Sequence, residues 1–319
     1  MNNLKKIGLT ALAGTLAAAT AHAGELTVGG TADINYQTHG EGSATNNPFS
    51  QSQTLSFSAS GDMDNGMTVS YSSAFTGSAF TASSVAIDMG DGGTVGLYSN
   101  GSDGGGLSAY QDVIPTAGEQ VWDDTGVTTH GGTASGVLDQ GSVNNLAYNN
   151  SFGNITVSGA WTRAEEGGEG SAVLVYDNLI DGLSLGYGMG EKNASAADKN
   201  KTDLETVFAK YTTGPMVIGL QRSVITPTNS SGSTVATSEK TRDHAGVSFA
   251  VNENLSVSFG RSNLEFSASA LNDQTDSGVS ASYTMGSTTI GLVHNKTSDA
   301  AGVANSDFDV SEIKLTFAF

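Results

Sequence analysis

The chain has no cysteine at all, only 4 Pro in 319 residues, and 13 Lys+Arg against 32 Asp+Glu, with 14% of side chains charged. Without cysteine there are no disulfides and no thiolate chemistry. The shortage of bases, with a formal charge of −19, excludes a nucleic-acid partner, because phosphate binding needs clustered Lys and Arg. No long apolar run occurs after the first two dozen residues, so no transmembrane helix is expected. That absence leaves a transmembrane barrel open, since its strands alternate and average out in mean hydropathy. Charges are too sparse, and apolar residues too regularly placed, for a disordered chain.

What is present begins with an export signal over 1–23. Lys5 and Lys6 form a basic start, Ile7 to Ala19 is an apolar run too short to span a bilayer, and Ala21-His22-Ala23 is an A-x-A cleavage site. Removing those two lysines from 13 bases leaves 11 against 32 acids, so the mature chain 24–319 is expected to carry −21. Export without cysteine fits a bacterial envelope protein.

From Glu25 onward the period is two. Leu26, Val28, Gly30, Ala32, Ile34 and Tyr36 share one face, and Thr27, Gly29, Thr31, Asp33, Asn35 and Gln37 the other, which predicts a strand with an apolar and a hydrated side. The pattern returns on both sides of Asp62-Met63-Asp64-Asn65-Gly66, a hairpin signal because Asn and Gly accept the positive φ values of a tight turn. Followed to the end, it predicts sixteen strands. Their connections alternate, short near 61–66, 90–93, 149–154, 178–182, 212–215, 251–254 and 285–288, and longer and polar at 38–52, 73–83, 99–142, 162–170, 190–202, 222–241, 261–276 and 294–307. Two stretches fit poorly. Ala172 to Tyr176 is apolar on both faces, and Phe308 and Val310 are out of phase with Ile313 to Phe319, which suggests a bulge near Ser311 or a loop end.

A sheet with one apolar and one Ser/Thr/Asn/Gly face needs a covering layer, and the pattern offers no helix to provide it. Closing the sheet with the apolar side outward satisfies every backbone group and gives that side to lipid. The expected fold is therefore an all-β transmembrane antiparallel barrel of 16 strands, with short turns on the periplasmic rim and long external loops. Sixteen strands leave an aqueous lumen. The aromatics Tyr36, Phe57, Tyr71, Trp161, Tyr187, Tyr211, Phe249, Phe259, Tyr283, Phe317 and Phe319 all have outward parity, as interfacial girdles require.

Over its mature length the chain resembles the sixteen-stranded trimeric general diffusion porins of the Gram-negative outer membrane. Glu25-Leu26-Thr27-Val28-Gly29-Gly30-Thr31-Ala32-Asp33-Ile34-Asn35-Tyr36 is similar to their first strand, and Ile313-Lys314-Leu315-Thr316-Phe317-Ala318-Phe319 to their last, which closes on a terminal Phe. The resemblance implies an outer-membrane homotrimer in contact with lipid and lipopolysaccharide, with Phe319 read by the barrel-assembly machinery. It also implies that the third long loop, 99–142, folds into the lumen as the constriction. A connection of that length inside a compact fold is functional or disordered. Its charges are Asp103, Asp112, Glu119, Asp123, Asp124 and Asp139, without Lys or Arg. Asp103 beside Gly104-Gly105-Gly106 reads as a turn residue. Asp112, Glu119, Asp123, Asp124 and Asp139 are the candidate constriction acids, and apolar neighbours such as Val113-Ile114-Pro115 and Val121-Trp122 could pin the first four to the wall. An acidic ring in a narrow passage favours cations.

The chain departs from the family where selectivity is set. Such porins face the acidic loop with inward arginines on early strands, whereas here no Lys or Arg occurs between Ile7 and Thr162. Parity puts Asp33, Asp88, Lys210, Arg242, His244, Glu312 and Lys314 on the inward face, and Arg163, Arg222 and Arg261 near external rims as solvated or snorkelling side chains.

No catalytic motif is found. His39, His130, His244 and His294 are scattered and lack metal-ligand spacing. Gly186-Tyr187-Gly188-Met189-Gly190 lies in a strand pattern without a following helix and reads as small lumen or subunit-contact residues. No cofactor is expected beyond loose divalent cations at Asp-rich loops. The expected function is passive diffusion of ions and small hydrophilic solutes, biased toward cations. The alternatives are a substrate-specific channel, an adhesin, and a barrel lipase, which would need a Ser–His pair facing lipid at one height, with His294 the outward histidine at a strand end.

Overall fold

A computed structural model describes residues 26–40, 47–99, 104–123, 144–164, 167–193, 201–228 and 239–319. The signal segment 1–23 lies outside the described residues, as does His130. The described residues form sixteen strands: β1 Thr27–His39, β2 Phe49–Asp62, β3 Thr68–Thr76, β4 Ala79–Asp88, β5 Thr94–Ser99, β6 Asn145–Phe152, β7 Ile155–Ala164 and β8 Gly167–Asp177. They continue as β9 Leu183–Asn193, β10 Lys201–Thr213, β11 Met216–Thr228, β12 Lys240–Ala250, β13 Leu255–Phe266, β14 Gln274–Met285, β15 Thr288–Ser298 and β16 Phe308–Ala318. Each pairs antiparallel with its sequence neighbour, and β16 pairs with β1, so the sheet is a closed barrel.

Alternation explains the closure. Each register pair joins residues of one face: Val207 of β10 lies opposite Tyr187 of β9 and Arg222 of β11, and Phe259 of β13 opposite Val247 and Val279. The face bearing Val207, Leu220, Phe259, Val279 and Leu292 is exposed over the barrel, as a lipid-facing surface must be. The opposite face is rich in Ser, Thr and Gly and lines the interior. The outward aromatics Tyr36, Tyr71, Trp161, Tyr187, Tyr211, Phe249, Phe259, Tyr283, Phe317 and Phe319 are all exposed, while Phe57 is half-buried against Phe75.

At the seam, Gly30 N donates to Phe319 O at 2.8 Å and Phe319 N to Gly30 O at 3.0 Å. The turn expected at Asp62–Gly66 is present, with Gly66 at φ +84° and its N–H donating to Met63 O.

Three expectations change. Not every connection on the long-loop rim is long: β3 and β4 are separated by Gly77-Ser78 alone, and β7 ends at Ala164 with β8 starting at Gly167. Polar residues read as loop continue the ladders instead, since an inward or rim-level Ser or Thr is compatible with a strand. There is no bulge at Ser311, because β16 runs in unbroken register with both neighbours. Phe308 and Val310 face inward, and Val310 is fully buried. The doubly apolar stretch of β8 has a definite register: Ala172, Leu174 and Tyr176 face out and Val173 and Val175 face in.

Candidate pore constriction

Two inward valines on a porous wall need cover, and the connection between β5 and β6 supplies it. A short 3-10 turn at Gly106–Tyr110 lies against β7, β8 and β9. Leu107 is fully buried with Val173, Val175, Leu204 and Phe208, and Tyr110 and Val113 pack on the same cluster. The Tyr110 ring stacks on Phe208 with centroids 5.6 Å apart. Burial raises the Tyr110 phenol above its ordinary pKa, with the Asp177 charge adding to the shift. The inward glycines of β9 make room: a Cβ at Gly186 would strike the Phe208 ring, and one at Gly188 would lie 2.7 Å from Leu107 Cδ2.

Polar bonds continue the seat along the wall. Gly106 N donates to Ser158 Oγ at 2.8 Å, Leu107 N to Ser171 Oγ at 2.9 Å, Gln221 Nε2 to Tyr110 O at 2.8 Å and Ala117 N to Ser258 Oγ at 2.9 Å. Asn295 Nδ2 donates to Gln120 O at 2.8 Å. All of these wall residues have inward parity, so 104–123 runs inside the barrel from β7 to β15.

Under its middle lies a feature not anticipated from sequence. Gly219, Gly246, Gly260 and Gly278 are register partners on four successive strands, and all face inward. Ile114 and Pro115 sit over the first two, and a Cβ at Gly246 would come within 2.5 Å of Ile114 Cγ2. Val121 covers Gly260, where a Cβ would be 2.8 Å from its Cγ1. The row is a trough that lets an apolar ridge approach the backbone.

Asp112, Glu119 and Asp123 all lie on this segment and are half-buried. Asp124 and Asp139 lie outside the described residues. The three described acids face bases on the wall. Glu119 Oε1 accepts from Lys314 Nζ at 3.1 Å. Asp112 and Asp123 act electrostatically on Arg242, which is buried on β12. Arg242 Nη1 donates to Ser262 Oγ at 2.9 Å and to Asp276 Oδ2 at 3.3 Å, and its guanidinium lies 4.6 Å from the centre of the Trp122 ring. Trp122 meets His244 edge-on, with centroids 4.5 Å apart.

The other wall candidates are elsewhere. Asp33 accepts from Ser52 Oγ at 3.0 Å and Thr316 Oγ1 at 2.7 Å across the β2–β1–β16 seam. Asp88 is exposed and caps its own turn by accepting from Gly90 N at 2.9 Å. Lys210 points inward from β10 and is exposed. Arg222 and Arg261 have outward parity, and Arg222 forms a bidentate pair with Asp243, both bonds 2.7 Å. Asp276 and the glycine row were not among the sequence candidates, whereas His244 is read there as an inward wall residue and Trp122 as an apolar neighbour that could pin the acids to the wall. Parity places the glycines and His244 inside, but nothing in the sequence aligns the row.

No protein-family model matches the chain, and no curated protein matches it. Solved structures do. An anion-selective porin from Comamonas acidovorans superposes with a TM-score of 0.71 at 16% identity, covering 93% of this chain and all 100% of that one. The chain has the fold of the sixteen-stranded outer-membrane porins. OmpT of Vibrio cholerae, in a trimer form, matches at TM-score 0.68 and 10% identity over 93% of this chain and 100% of its own. Salmonella typhi OmpF, solved with daunomycin, matches at 0.67 and 11% over 93% and 98%. The likeness to a porin described as anion-selective is one of fold and carries no sign of selectivity to this chain.

Proposed function

We propose that this protein is an outer-membrane channel for passive diffusion of ions and small hydrophilic solutes, with a preference for cations. The observation that carries the reading is a closed sixteen-strand barrel with a polar interior crossed by an inward segment that narrows it. The cation preference rests on the lining: no Lys or Arg occurs between Ile7 and Thr162, so β1 to β6 offer the pore neither. Where bases do face the segment, at Arg242 and Lys314, carboxylates already surround them. Ions in the passage therefore meet acids and hydroxyls over one half of the circumference and a nearly balanced wall over the other.

The remaining parts of the reading are a cleaved signal at 1–23, loose divalent-cation binding at acidic loops, contact with lipopolysaccharide, recognition of the Phe319 strand during assembly, and a homotrimer. Support for subunit contact is that the outward residues of β1 to β6 include no charged side chain, whereas those of β9 to β13 include Glu191, Lys201, Asp203, Glu205, Arg222, Asp243 and Arg261.

Planar-bilayer recordings under a salt gradient test the reading. Stepwise conductance with a cation-selective reversal potential is expected, and absence of steps or an anion-selective sign would sink it.

One observation favours a second reading. His294 Nδ1 lies 2.9 Å from Ser311 Oγ, and both side chains have outward parity on adjacent strands. A hydrolytic pair also needs oxyanion donors, and β15 and β16 are laddered on both edges, which commits their N–H groups. Ester hydrolysis in mixed micelles that disappears in Ser311→Ala would establish the enzyme.

A further inference from the structure

An acidic segment lying against a wall raises the question of what holds it there. Between its described ends it brings Asp112, Glu119 and Asp123 and no cation of its own. Every positive partner must therefore come from strands later than Thr162. Among the described residues, Arg242 on β12 and Lys314 on β16 meet it from the inner wall.

Of the two, Arg242 is the one enclosed. It is 4% exposed, and its partner Asp276 is fully buried, accepting also from Gln274 Nε2 at 2.9 Å and Thr297 Oγ1 at 2.8 Å. One guanidinium thus serves Asp276 by a charge-assisted hydrogen bond, the Trp122 face by cation–π contact, and Asp112 and Asp123 through the field. Asp112 and Trp122 sit at opposite ends of the Ile114–Val121 ridge that fills the glycine trough, so the same charge anchors both flanks of the docked stretch. Lys314 is a part-exposed ammonium making one bond to Glu119, a contact that water and salt weaken.

We propose that Arg242 is the positioning residue of the constriction and a determinant of its ion selectivity: it seats the segment through Trp122 and compensates Asp112, Asp123 and Asp276, reducing the acidity the pore presents to ions. The inference rests on the channel reading above. It implies that selectivity is set as much by a base beneath the segment as by the acids upon it.

The test uses the full chain in planar bilayers under a KCl gradient. Arg242→Gln is expected to raise the potassium-over-chloride permeability ratio by about twofold to threefold, because it removes the positive charge that touches Trp122 and offsets the acids of the segment. Its open-channel noise should rise as the segment loosens. Arg242→Lys keeps the charge but loses the planar fork and most of the stacking, so the ratio should return toward the parent value while the noise stays raised. Asp276→Asn removes an acid from the same cluster and should move the ratio the opposite way; it keeps the test decisive if Arg242→Gln does not fold. Arg261→Gln, on the outer surface, should leave the ratio unchanged. Inserted channels whose ratio ignores both Arg242→Gln and Asp276→Asn would overturn the inference, as would an equal shift from Arg261→Gln. A parent protein that passes no current would instead overturn the channel reading itself.

Discussion

A side chain at position 246 would have no space, because the Ile114 side chain already occupies the volume a Cβ needs. Gly246→Val should therefore lift the segment from the wall, at a cost of about 1–3 kcal/mol for overpacking a filled site. Limited proteolysis of the folded barrel checks this: cleavage within 104–123 should accelerate, and a parent-like rate would count against the trough. Leu107→Ala attacks the other end of the seat. Leu107 is fully buried among Val173, Val175, Leu204 and Phe208, and its truncation should cost about 2–5 kcal/mol, read as lost amide protection at 104–113 with strand protection retained. At this scale the sequence was only half legible. Parity marks Gly246 and Val173 as inward, but an inward glycine and an inward valine acquire meaning only when Ile114 and Leu107 arrive from more than sixty residues away.

Among the elements, β8 and β16 show why alternation alone can mislead. Both carry apolar residues on the inward face, Val173 and Val175 in one and Phe308 and Val310 in the other. Such residues break the simple rule of apolar outside and wet inside, and look like a slipped register until the interior is known to hold protein as well as water. The seam between β1 and β16 follows the rule better. Phe319 completes it with two backbone hydrogen bonds to Gly30. Deleting Phe319 removes both, worth about 1 kcal/mol each. The denaturation midpoint of the refolded barrel in detergent should fall accordingly, and an unchanged midpoint would count against a stabilising role for these two bonds.

For the whole molecule, neighbouring positions on one strand face different solvents. Val257 of β13 is exposed on the outer surface and Ser256 beside it faces the lumen. Val257→Arg should destabilise the barrel by about 1 kcal/mol, because Val257 pairs with the girdle residue Phe249 close to the turn rim, where an outward Arg costs less than at the bilayer midplane, while Ser256→Arg should be nearly neutral for stability. Reversible unfolding from lipid vesicles distinguishes them, and equal effects would contradict the assignment of inside and outside. The lumenal substitution should also shift the reversal potential toward anions, because it adds a base to a pore lining short of them.

What the sequence determined by itself was the sheet: strand number, which residues share a face, the tight turn at Asn65-Gly66, and the absence of Lys and Arg between Ile7 and Thr162. These follow from local periodicity and backbone preference, which neighbouring residues already encode. The tertiary structure alone decided how that charge is used. Lys314 meets Glu119 across 195 residues, Arg242 gathers Asp112, Asp123 and Asp276 from two elements, and four glycines from separate strands fall into one row. Each of these depends on barrel closure and on the register of strands distant in the chain. Electrostatic compensation depends on distance, and only the fold sets that distance.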